Sequence, residues 1–129
     1  CRMRQISLEQ VLELCKKNDF ELLSTHPSLS LPIIERMYRK MVFGIQFPNI
    51  KVEGNIIVNG HHRYLASLLA GVAIERSPSI NPPANHIIAW ESVLFEENDW
   101  DSEAAIIRFN EEDARYNDLS YEEICNLLR

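Results

Sequence analysis

The chain has 129 residues, 46% of them hydrophobic and 25% charged, and a formal net charge of −6. That is the size and mix of one soluble globular domain. No apolar run approaches membrane-spanning length and no apolar h-region follows Cys1-Arg2-Met3-Arg4, so neither a membrane span nor a signal peptide is expected.

The charge is unevenly spread. Residues 1–90 carry ten Lys/Arg against seven Asp/Glu, whereas residues 91–129 carry three against twelve. An acidic chain is a poor general binder of a phosphate backbone, so nucleic acid is disfavoured as a partner. A small phosphate-bearing ligand at one positive turn fits better. The acidic last third is read first as a solvated helix face, and secondly as a surface for a basic protein partner. Cys1, Cys15 and Cys125 are odd in number and lack C-x-x-C spacing. This argues against a disulfide framework or zinc site and for a reducing, cytoplasmic compartment.

Ser7-Leu8-Glu9-Gln10 fits a capping box, and Leu8, Val11, Leu12 and Cys15 make the stripe of a helix ending near Lys17. Phe20–Leu23 reads as a short strand or the end of that helix, and His26-Pro27-Ser28 as loop. Ser30 and Pro32 open a second helix with Ile33, Ile34, Met37, Met41 and Val42 on its core face. Its other face, Arg36, Arg39 and Lys40, is read as solvated, with phosphate binding as the alternative. Ile50–Val52 and Ile56–Val58 form a hairpin turning at Gly54. A helix over His62–Ala70 follows, with Gly71 at its C′ position. Val72–Ile74 is expected as a strand. Ser77–Asn85, with three prolines, is expected as a loop at the rim of the site or its lid. His86–Trp90 is expected as a further strand, and Ser92–Phe95 continues it. Asp101-Ser102 caps a helix that the polar stretch from Asn110 to Asp118 ends, and Ser120–Glu123 is a second capping box opening a short last helix.

The chemistry concentrates between the hairpin and the third helix. Asn59-Gly60-His61-His62-Arg63 stands where a buried strand turns into a helix. The first amides of a helix lack internal partners and carry partial positive charge, so an anion is stabilised there. Gly60 admits close approach of the backbone, Arg63 brings a planar fork for two oxygens, and the histidines bring groups that titrate near neutrality. Asn59, Gly60, His61, His62 and Arg63 are therefore the expected phosphate or nucleotide site. His61 or His62 would be the general acid or base of any reaction there. The adjacent histidines point in different directions and do not suit one metal ion.

The run Ile57-Val58-Asn59-Gly60-His61-His62-Arg63-Tyr64-Leu65-Ala66 resembles the G-x-x-R motif of the ParB/sulfiredoxin superfamily, over roughly Ile50 to Gly71. The resemblance implies an α+β fold, a small mixed sheet packed with helices in a single domain over 1–129. The core motif would lie at about 50–76 and an acidic helical part at 91–129. It also implies a ligand such as ATP or CTP at this turn. Family members include nucleotide hydrolases, phosphotransferases, nucleases and domains of bacterial toxins, so the fold narrows the ligand more than the reaction. Sulfiredoxins place their catalytic cysteine where this chain has His61, which argues against their chemistry here. Phosphoryl transfer would call for Mg²⁺, with Glu53 as the nearest carboxylate in sequence. The alternatives are a nuclease or toxin domain and a non-enzymatic module that binds a nucleotide or a protein.

Overall fold

The structure is a computed structural model and describes residues 6–17, 20–80 and 86–128. Helix α1 spans Leu8–Lys17. The Ser7 hydroxyl accepts from the Gln10 amide at 3.2 Å, and the Gln10 side chain accepts from the Ser7 amide at 2.8 Å. That is the reciprocal box expected at this end. Strand β1, Ser28–Ser30, runs into helix α2, Leu31–Val42. Strands β2, Ile50–Glu53, and β3, Ile56–Asn59, form the expected hairpin, with Gly54 at φ +60°. Helix α3 covers His61–Ala70 and closes on Gly71 in the left-handed region.

Two small sheets are present among the described residues. In the first, β2 lies between antiparallel β3 and parallel β4, Arg76–Pro78. In the second, β1 pairs in parallel with β5, Leu94–Glu96. Helices α4, Glu103–Tyr116, and α5, Tyr121–Leu127, complete the chain. It is a mixed α/β arrangement. Leu22, Leu29, Ile34, Ile50, Ile57, Leu65 and Trp90 form the centre of its core. No helix in the described residues is long and apolar enough to cross a membrane.

Several expectations are corrected. Val72–Ile74 is not a strand: the Val72 amide bonds back to Ser67 O and completes the end of α3. The ladder to β2 begins only where Ile50 donates to Glu75 O. Ser28, read as loop, starts β1, because a parallel partner 66 residues downstream supplies the bonds. His86–Trp90 makes one isolated bridge at Ile88. Trp90 instead enters a 3-10 turn, where its indole is buried and donates to Leu22 O at 2.9 Å. The polar stretch from Asn110 does not end α4. Ala114 is buried and Asp113 is bound to Lys40, so one face of those turns is held while the other is solvated. Of the expected loop Ser77–Asn85, residues 81–85 lie outside the described residues, as does Cys1.

The basic face of α2 is not free for a ligand. Arg36 holds Asp99 and Asp101, Lys40 holds Asp113 at 2.7 Å, and Arg39 donates to Leu128 O. Part of the acidic last third folds back onto this face and neutralises it.

Candidate functional site

Gly60 fixes the geometry of the turn. Its φ is +112°, and a Cβ there would sit 2.5 Å from Ile50 Cγ2 and 3.0 Å from an Arg63 nitrogen. Only glycine combines that dihedral with that proximity. The first helical bond runs from the Tyr64 amide to Gly60 O at 2.9 Å, which leaves the amides of His61, His62 and Arg63 without helical acceptors.

His61 is 1% exposed. Its Nε2 accepts the Thr25 amide at 3.0 Å, and the Thr25 hydroxyl lies 3.3 Å from the same nitrogen. Nε2 is therefore the unprotonated nitrogen and Nδ1 carries the hydrogen. Nδ1 is buried and has no hydrogen-bond partner among the described residues. Burial, with repulsion from His26 and His62, pushes the His61 pKa down to about 3. His62 is built alike. Its Nε2 accepts the Ser30 amide at 3.0 Å, its ring meets Trp100 edge-on at 5.5 Å, and burial is the largest cause that lowers its pKa to about 4. Both imidazoles are neutral near pH 7, and both present Nδ1–H as a donor.

Arg63 donates from one terminal nitrogen to Pro48 O at 2.9 Å and Asn49 O at 3.2 Å, and makes no ion pair among the described residues. Burial lowers its pKa, against the field of Asp113. It borders a cavity of about 250 Å³ shared with Met37, Lys40, Phe47, Phe109 and Asp113. A larger cavity, about 360 Å³, lies between the C-terminal ends of α2 and α3 and does not touch the turn.

Asn59 ends β3 opposite Lys51 and is exposed. Thus Asn59, Gly60, His61, His62 and Arg63 come together as one turn, as adjacent residues must. Glu53 does not join them. It is exposed at the far end of β2, three residues beyond Ile50, which touches Gly60. At about 3.3 Å per strand residue that is ~10 Å from the turn. Glu53 does not fit as a ligand for a metal ion on an anion bound there. Among the described residues no group of three or more His, Cys, Asp or Glu is placed to hold a metal.

Residues far apart in sequence complete the surroundings. Thr25 and Ser30 orient the two histidines, and His26 lies flat on His61 with ring centroids 3.9 Å apart and planes at 14°. The sequence reading took His26 as loop. The only local signal was an imidazole before a proline. In comparisons with protein-family models, with curated proteins and with solved structures, nothing matches this chain.

Proposed function

We propose that this chain binds a phosphate-bearing ligand, a nucleotide such as ATP or CTP foremost, at the N-terminal turn of α3, and that it is related to ParB/sulfiredoxin domains. The observation that carries the reading is the His61 Nδ1–H. Among the described residues it is a buried donor without an acceptor, on the first residue of a helix whose first amides have no helical acceptors. Burying a donor unpaired costs about 1–3 kcal/mol, and an oxyanion at the turn would relieve that cost. The helix dipole and Arg63 add favourable potential.

The reading is one of binding first. A general base needs a free lone pair on an imidazole, and both Nε2 lone pairs are engaged by backbone amides. Any hydrolysis or phosphoryl transfer at this turn would draw its base from elsewhere or require the histidines to move. Mg²⁺, if used, would be held by the ligand's phosphates and by carboxylates other than Glu53.

The test is calorimetric titration of phosphate, ATP and CTP, paired with amide NMR. The expected result is saturable binding with the largest shifts at His61, His62 and Arg63. Arg63→Ala should weaken it by about 1.5–3 kcal/mol. Equal binding by both proteins, or shifts elsewhere, would remove the site from this turn. Arg63-dependent cleavage of DNA or RNA in Mg²⁺ or Mn²⁺ would replace the reading with the nuclease one.

A further inference from the structure

His26 is not part of the sequence motif. Its backbone is fixed by Ser24, whose hydroxyl accepts from the His26 amide at 3.2 Å and donates to its carbonyl at 3.3 Å. Its ring is exposed and makes no hydrogen bond among the described residues; it only stacks on His61. It thus lies over one face of the ring whose Nδ1–H is buried and has no acceptor among the described residues. The rings are 3.9 Å apart between centroids and nearly parallel, so one oxyanion at their shared edge would lie near both.

We propose that His26 is a third ligand-binding imidazole of this site, which takes up a proton when a dianionic oxyanion binds and donates to it beside His61 Nδ1–H. The inference rests on the anion reading above and adds a residue and a proton to it. The two imidazoles beside His26 do not titrate near neutral pH. His61 and His62 of α3 are close enough to repel a proton on it, and both stay neutral. Arg36 of α2 is paired with Asp99 and Asp101. Burial lowers the His26 pKa in the free protein, so the ring is neutral at physiological pH until a charge arrives. An anion within hydrogen-bond reach favours the imidazolium and raises that pKa. The bound form holds more protons, so affinity is highest at low pH and declines as pH rises through the bound-state pKa of His26.

Sulfate is a suitable probe because it does not itself titrate between about pH 5 and 8, the range that histidine covers. It would be titrated into the intact chain and into His26→Gln at pH 5.5, 7 and 8, by calorimetry in buffers of different ionisation enthalpy. The wild type should bind about tenfold more tightly at pH 5.5 than at pH 8, the low end for one charge-assisted contact. It should take up a fraction of a proton per sulfate at pH 7. His26→Gln should bind more weakly than the wild type at pH 5.5 and show no pH dependence. The His26 ring-proton midpoint, followed by NMR, should rise with sulfate. An unmoved midpoint, or the same pH profile in His26→Gln, would overturn the role of His26 and leave the anion site standing. No binding of sulfate or phosphate by the wild type at any of these pH values would overturn both.

Discussion

At Gly60 a single hydrogen atom in place of a side chain decides whether β3 can turn into α3 at all. Gly60→Ala would meet Ile50 in the core and hold a Cβ at positive φ. The expected cost is about 2–4 kcal/mol, from backbone strain and overpacking together, read as a lower urea midpoint. His61 and His62 give a pH dependence with a definite sign. Both are protonated in the unfolded chain below about pH 6.5. Folded, their pKa values are about 3 and about 4. Their contribution to stability is therefore present above the unfolded value and is lost as pH falls from there toward the folded values. Each contributes a slope of up to about 1.4 kcal/mol per pH unit. Urea unfolding at pH 7, 6 and 5 should show this decline, and His62→Gln should make it shallower. A flat profile would mean that the rings are more accessible to water than their hydrogen bonds to Thr25 and Ser30 imply.

Among the elements, α2 and α4 are joined through charge. Lys40 is 4% exposed and its ammonium rests on Asp113. Removing one member of such a pair strands the other in a poorly solvated place, whereas removing both can be close to neutral. Asp113→Ala should cost about 3 kcal/mol, and the double change Lys40→Met with Asp113→Leu should recover most of it. A double-mutant cycle by urea unfolding checks this, and equal losses in the single and double variants would deny the coupling. The Arg36 pairs with Asp99 and Asp101 are more exposed and should contribute less. The same pairs explain why α2 is not a phosphate-binding face.

Over the whole molecule, the acidic last third is not a detached tail. Ile45, Ala114 and Ile124 form a buried cluster joining α4 and α5 to the segment after α2, and the ion pairs lie beside it. Unfolding should be one transition. Trp90, buried beside α1, reports the main core by fluorescence, while far-UV circular dichroism is weighted toward helices that include α4 and α5. The two signals should share a midpoint in urea. A separate early loss of ellipticity would mean that α4 and α5 form an independent unit.

What the sequence by itself determined is local. Capping boxes at Ser7 and Ser120, the Gly54 turn, the Gly60 turn and the Gly71 helix end are each written within a few residues, and each stands where it was read. The contiguous part of the candidate site, Asn59 to Arg63, was legible for the same reason. Only the tertiary structure decided what lay across long separations. The parallel pairing of β1 with β5 joins segments 66 residues apart, and Ser28–Ser30 carries no local strand signal. The polar second half of α4 persists because Lys40 and a buried Ala114 hold it, which no helical period reveals. Glu53 was near in sequence and far in space, because an extended strand carries each residue away from the turn. The tautomers of His61 and His62 follow from amides more than thirty residues distant, which no local pattern reveals.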